Sequence, residues 1–269
     1  MSILFESVGS FHTGPSSYRA LISKRSRGII TLTEEILNFE SQKDKVQFRL
    51  KLSEIREFFM KNRFTIPIIE LLSVHGIKHT ISTLKESKKH FHSSLQMTAD
   101  LFRQLTRLIF NKDQIILFDA IIAFCPCSIN NFNMKESSLE GHMFLTENYV
   151  LFKSFQTGNL TKIKIYNINQ VLMEILDSMT YVSIETLQGS FYSFLPLKTS
   201  WGKFVKDKIK VEKLYDILNQ AKMYKQSETA VNLTTSELSD NKIKCLYCKN
   251  MINSEVIVCP YCGNNNQEK

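Results

Sequence analysis

Gly28-Ile-Ile-Thr-Leu-Thr33 recurs, in degenerate form, as Gly141-His-Met-Phe-Leu-Thr146. The positional offset between the copies, the same as that from Gly28 to Gly141, aligns most of the chain without a gap. Phe39 falls on Phe152, and Leu50, Leu52 and Ile55 fall on Ile163, Ile165 and Ile168. Gly76 falls on Gly189, and Leu101, Phe102 and Leu105 fall on Leu214, Tyr215 and Leu218. Upstream, Ile3-Leu-Phe5 falls on Ile116-Leu-Phe118 and Phe11 on Phe124. A fixed offset over so long a stretch marks a tandem duplication. Its period is too long for a solenoid, whose repeats run about 20–50 residues, and implies two whole domains.

Each copy reads as strands followed by one helix. Ile3 to Phe11 is rich in β-formers, and the Gly14-Pro15 stretch after it reads as a loop. Gly28 to Leu32, a turn at Thr33-Glu-Glu35, and Ile36 to Phe39 read as a hairpin. Phe48, Leu50 and Leu52 then alternate with Gln47, Arg49 and Lys51, the period of a half-buried strand. Ile66 to Val74 and Ile77 to Ile81 read as two strands parted by Gly76, with Pro67 delaying the first or placing it at an edge. Leu101, Phe102, Leu105, Leu108 and Ile109 carry a helical stripe, which predicts a helix capping the open end of the sheet. The second copy repeats this order and predicts a helix from about Thr199 to Tyr224, with Trp201, Phe204 and Val205 in its core. The domains predicted are 1–112 and 114–225, with a Ser/Thr/Asn-rich linker over 226–241 and a small terminal unit over 242–265.

The net charge of +8 is unevenly placed. Residues 1–113 hold 18 basic against 11 acidic residues (+7), residues 114–226 hold 12 against 10 (+2), and residues 227–269 hold 4 against 5 (−1). The copies share apolar positions but not a surface, so a basic partner-facing side belongs to the first copy. Lys24, Arg25 and Arg27 precede Gly28, whereas Ser137, Ser138 and Glu140 precede Gly141. These three and Lys43 and Lys45 are the candidate contacts for anionic lipid or an acidic partner, with Lys61 and Arg63 as further contributors. Lys85, Lys88, Lys89, His90 and His92, and the lysines from Lys203 to Lys210, read as solvated surface. Cys125-Pro-Cys127 is too tight for a usual zinc knuckle and reads as a strand end. No nucleophile–base pairing, P-loop or dinucleotide fingerprint is present, which points away from an enzyme. No apolar run reaches the ~20 residues of a bilayer span, and the start carries no secretory pattern. Together with the cysteine usage this predicts a cytoplasmic protein, peripheral at a membrane if its basic side meets one.

The tail reads Cys245-Leu-Tyr-Cys248, ten residues, then Cys259-Pro-Tyr-Cys262-Gly263. Two Cys-x-x-Cys pairs at this separation suit tetrahedral zinc, and four thiolates leave no open coordination position, so one structural Zn²⁺ is expected. The pattern is similar to the short zinc ribbons of many prokaryotic proteins, except that Leu246 and Lys249 replace the proline and glycine of the first knuckle. The spacing is shared with NZF-type ubiquitin-binding fingers. Ile243 and Lys249-Asn250 stand where those carry Trp and Thr-Phe. A tail with net charge −1 disfavours nucleic acid.

The fold class expected is mainly β with α. Gly28…Leu32-Thr33…Leu37-Asn-Phe39 and Gly141…Leu145-Thr146…Leu151-Phe152, each within a domain-sized run of strands ending in a helix, resemble the GRAM and GLUE branches of the pleckstrin-homology (PH) superfamily. The resemblance covers both copies. It implies two tandem PH-like barrels, each with a C-terminal helix, serving as binding modules for phosphoinositides, anionic membranes, peptides or, in the GLUE case, ubiquitin. GLUE domains with zinc fingers occur in the ubiquitin-binding subunit of the ESCRT-II sorting complex, so a ubiquitin-reading relative is the first alternative. A zinc-ribbon protein acting on nucleic acid is the second. The leading expectation is a non-catalytic adaptor with protein or membrane partners.

Overall fold

The computed structural model describes residues 2–14, 27–41, 47–63, 66–87, 90–127, 138–200, 203–240, 242–244 and 251–253. The chain divides into a unit of residues 1–219 and a unit of residues 220–269. The first holds β1 (Phe5–Thr13), β2 (Arg27–Leu32), β3 (Ile36–Ser41), β4 (Gln47–Lys51), β5 (Ile55–Arg63), β6 (Ile66–Ser73), β7 (Lys78–Ser87), β8 (His90–Ser93) and helix α1 (Leu95–Phe110). The second copy follows with β9 (Ile116–Cys125), β10 (Leu139–Thr146), β11 (Tyr149–Ser154), β12 (Leu160–Lys164), β13 (Ile168–Leu176), β14 (Met179–Thr186), β15 (Phe191–Ser200), β16 (Lys203–Lys206) and helix α2 (Lys208–Asp240). From β3 to β8 every strand boundary recurs, at the offset that separates Gly28 from Gly141, in β11 to β16.

Both sheets are antiparallel with the same strand order, β4-β3-β2-β1-β7-β6-β5 and β12-β11-β10-β9-β15-β14-β13. A short extra strand pairs with β7 in the first copy and with β15 in the second. The fold is mainly β with some α: two tandem curled antiparallel sheets, each followed by a helix. Pro67 sits at the second position of β6, opposite Asn62 of β5. Pairing with β7 starts only at Ile69, so the missing amide leaves no gap in that ladder.

The repeated sequence positions hold repeated geometry. Thr33 Oγ1 accepts the amide of Ile36 (3.2 Å) and donates to its carbonyl (3.3 Å). Thr146 does the same with Tyr149 (3.1 and 3.3 Å). The hydroxyl adds to the hairpin turn, in the first copy beside the Thr33 amide that donates to the Ile36 carbonyl at 2.9 Å, which is why Leu-Thr recurs. A Cβ on Gly28 would lie 2.1 Å from the Glu40 carbonyl oxygen and 2.7 Å from the Phe39 ring. One on Gly141 would lie 2.3 Å from the Lys153 carbonyl oxygen and 2.4 Å from the Phe152 ring. The glycine–phenylalanine pairs of the repeat are thus rings laid over bare backbone.

Ser94 caps α1, its hydroxyl accepting the amide of Met97 at 3.3 Å. α1 buries Leu101, Phe102 and Leu105 completely. The second helix begins at Lys208, later than the periodicity predicts, because residues before it extend β15 and form β16. Phe204 lies on β16, partly buried against the core. Val205 is exposed there, and Trp201 lies outside the described residues. Val211, Leu214 and Leu218 are buried, the stripe the repeat requires. The helix runs on through residues 226–240, the segment read in the sequence as a linker; it contains no Gly or Pro to stop it. In the terminal unit Lys242–Lys244 pairs antiparallel with Met251–Asn253.

One hydrophobic cluster joins the two copies. It contains the core of the first sheet and α1 together with Ile121, Ala123, Cys125, Phe155, Leu195 and Leu197 of the second. Successive β-strand residues face opposite sides. On β9 the intervening residues Ala120, Ile122 and Phe124 are buried too, with Phe124 against Phe152 (4.4 Å between centroids) and Phe194 (5.5 Å). The central strands of the second sheet are therefore buried on both faces, the outer face meeting the first copy.

Candidate functional site

The β1–β2 and β3–β4 connections leave the same end of the first sheet, because the four strands form a consecutive antiparallel meander. By position in the chain these connections carry Lys24, Arg25, Lys43 and Lys45, all outside the described residues. Arg27 opens β2 opposite Ser10 and is half-buried. Beneath this end lies an aromatic group that the sequence reading missed. Phe11 stacks on Phe48 (4.1 Å) and Phe39 (5.2 Å), and His79 packs against Phe48 (4.6 Å). The alternation of Phe48 with charged neighbours was a signal for it; the cross-strand approach of His79 was not. His79 is 4% exposed, and its Nδ1 lies 3.3 Å from Thr13 Oγ1. Burial lowers its pKa, which favours the neutral ring. The arrangement is a buried aromatic group at the end of the sheet from which the two connections leave.

Lys61, a further basic candidate, is not a free charge. Its Nζ lies 2.8 Å from Glu70, a buried carboxylate that Lys78 also approaches at 3.7 Å. A groove of about 580 Å³ between Glu34, Glu35, Arg49, Lys51 and the end of α1 carries both signs of charge, and so selects neither.

The corresponding end of the second copy does something else. The Phe155–Gly158 turn between β11 and β12 docks on β5 of the first copy. The Met60 amide donates to the Phe155 carbonyl at 2.6 Å. The Phe155 ring, 1% exposed, meets Phe102 edge-on at 5.0 Å and stacks with Phe204 at 5.5 Å. Gly158 adopts φ +68°, and a Cβ there would lie 2.9 Å from the Phe58 carbonyl oxygen. Lys153 Nζ donates to the Gly158 carbonyl and lies 4.7 Å from the Phe58 ring and 5.3 Å from that of Phe110. Burial pushes the Lys153 pKa down to about 8, against the opposing pull of Glu57. Gln156 and Gly158 are the counterparts of Lys43 and Lys45, so the turn that is cationic in one copy is the docking device in the other.

Cys125 ends β9 as read, and a disulfide joins it to Cys127. One intervening residue closes too short a loop to staple distant segments. Cys245, Cys248, Cys259 and Cys262 lie outside the described residues, and no group of metal-ligating side chains occurs among the described ones. No helix among the described residues is long and apolar enough to cross a membrane.

No family model matches this chain, and no curated protein matches it by sequence. Among solved structures, it is similar to the C-terminal domain of an unknown protein from Leishmania infantum. That match has TM-score 0.33 and 13% identity, over 46% of this chain and 96% of that one. It is similar also to the Vps36 N-terminal PH domain (TM-score 0.31, 16% identity, 41% of this chain and 80% of that one). The hSac2 domain from the human phosphoinositide phosphatase Sac2 matches with TM-score 0.31 and 10% identity, over 49% and 85% of the two chains. The fold assignment rests on strand order and register, not on these scores.

Proposed function

We propose that this chain is a non-enzymatic binding protein whose first copy contacts an anionic membrane surface through Lys24, Arg25, Arg27, Lys43 and Lys45. The second copy braces the first. The observation that carries this reading is the fate of one turn: Phe155–Gly158 is spent on packing, while its counterpart holds Lys43 and Lys45 in a copy of net charge +7. At about 1 kcal/mol for each basic residue near a charged bilayer, five residues supply about 5 kcal/mol, enough for salt-sensitive peripheral binding. An acidic protein surface offers the same chemistry and is the second partner class.

The tail carries a structural Zn²⁺ on Cys245, Cys248, Cys259 and Cys262. In support, the strands Lys242–Lys244 and Met251–Asn253, which flank the first cysteine pair in the sequence, pair antiparallel. Metal bound there holds the unit folded and leaves a protein-binding surface. The ubiquitin and nucleic-acid alternatives draw no support from a described contact.

Sedimentation with phosphatidylserine vesicles tests the membrane reading. Binding at low salt, lost in the K24A/R25A/R27A/K43A/K45A variant, is the expected result. Equal sedimentation of the variant, or none by the wild type, refutes it.

A further inference from the structure

A polar cavity of about 160 Å³ lies where α1 faces the outer side of the second sheet, far in sequence from the basic loops. His142, in the middle of β10, lines it. The residue is 3% exposed, yet neither ring nitrogen has a hydrogen-bond partner among the described residues. A neutral imidazole carries one donor and one acceptor, and leaving both unmade in a buried place costs the desolvation of each. Ile29 occupies the equivalent position of the first copy, so the fold itself does not demand a histidine here.

The charges around His142 decide what fits. Arg103 Nε lies 3.2 Å from Asp119 Oδ2, which neutralises that acid. Asp100 accepts from Gln96 Nε2 at 3.1 Å on both oxygens. Lys198 and Lys210 also line the cavity and form no ion pair among the described residues. Thr199 brings a hydroxyl, bonded to the Gln96 side-chain oxygen. Arg103 and Lys210 reinforce burial in holding the His142 pKa well below its ordinary value, so the ring is neutral near pH 7. With Asp119 paired to Arg103, the exposed Lys198 and half-buried Lys210 outnumber the one remaining carboxylate, Asp100, so the lining is net cationic and opposes a metal cation, while the polar walls oppose an apolar ligand. The volume equals about five waters at roughly 30 Å³ each, room for one tetrahedral oxyanion and its residual hydration.

We propose that this cavity binds a phosphate-sized oxyanion, held by Lys198 and Lys210 and by an N–H of His142. All three groups belong to the second copy, on the side that faces α1. The site is separate from the basic loops, and its ligand is either free phosphate or the phosphate of a small monoester.

The test is histidine-labelled NMR of the full chain at pH 7.5, with the His142 signal assigned from H142F. Potassium phosphate should shift that signal saturably, while potassium chloride at matched ionic strength should not. A glycerol 3-phosphate titration separates the sources: saturation shows that monoesters enter, and its absence restricts the site to free phosphate. The K198M/K210M variant should weaken the apparent affinity at least tenfold, as expected for lost charge-assisted hydrogen bonds. This variant carries the test alone if H142F does not fold. Equal shifts in chloride and phosphate, no shift at all, or saturation unchanged in K198M/K210M would overturn the proposal. The K24A/R25A/R27A/K43A/K45A variant should bind phosphate normally, which keeps this site distinct from the membrane reading.

Discussion

Replacing Phe155 with alanine should loosen the two copies from each other while leaving each sheet paired. The ring is buried, and it sits between Phe102 of α1 and Phe204 of β16. Its backbone bond to Met60 does not depend on the side chain and should survive. A buried Phe→Ala change typically costs about 3–5 kcal/mol, part of it for the space left behind. At about 2–4 °C for each kcal/mol in a domain of this size, the melting midpoint should fall by roughly 10 °C. Part of that loss is the edge-on contact with Phe102, which a double-mutant cycle isolates. F155A, F102A and the double variant, compared in urea, should give a coupling of about 0.5–1.5 kcal/mol. Calorimetry supplies the second readout, because the single transition of the wild type should broaden or split as the copies unfold separately. A loss below about 1 kcal/mol, or a coupling of zero, would refute the claim that this ring joins the copies.

Gly141→Ala should destabilise by about 1–3 kcal/mol, since the added methyl meets backbone oxygen and the Phe152 ring; urea midpoints check it. The buried Lys153 should leave a signature at alkaline pH. Its folded pKa is about 8, below the ordinary lysine value of 10.5, so between these the unfolded chain holds more protons. Stability should therefore rise with pH across that window, by at most about 1.4 kcal/mol per pH unit, and show no Lys153 slope below pH 8. The difference in unfolding free energy between wild type and K153M, followed from pH 7 to 10, measures it. Chelation should remove one zinc per chain by metal analysis and abolish proteolytic resistance of residues 242–265, with no change in the melting of residues 1–219.

The duplication, the succession of elements along the chain and the hairpin turns were legible because they rest on local chemistry. Thr33 and Thr146 bond across their turns through their own hydroxyls, and Gly28 and Gly141 lie under the rings of Phe39 and Phe152, so each signal fits within one hairpin. The later start of the second helix was not legible, because Phe204 and Val205 suit helix and strand alike and pairing with β15 decides between them. The basic candidates were visible as charge, yet only the fold places their two connections at one end of a sheet. Phe48 on β4 and His79 on β7 are distant both in the chain and in the strand order, and they meet only because the sheet curls.

What the sequence by itself determined is the repeat, the class of fold and the uneven charge, since periodicity and composition are properties of the chain. Which face of the second sheet is buried was settled by tertiary structure. Val8, Ser10, His12 and Ser82 correspond to Ile121, Ala123, Cys125 and Leu195, a polar-leaning set against an apolar one. The apolar run of β9 thus carried a trace of burial on both sides, but not the identity of the partner. That partner is the first copy itself: α1 and β5 cover the face, Phe155 and Lys153 anchor it, and a polar pocket around His142 is left between them. Strand residues alternate between two faces by geometry, and only the packing of one whole domain on another makes both faces interior.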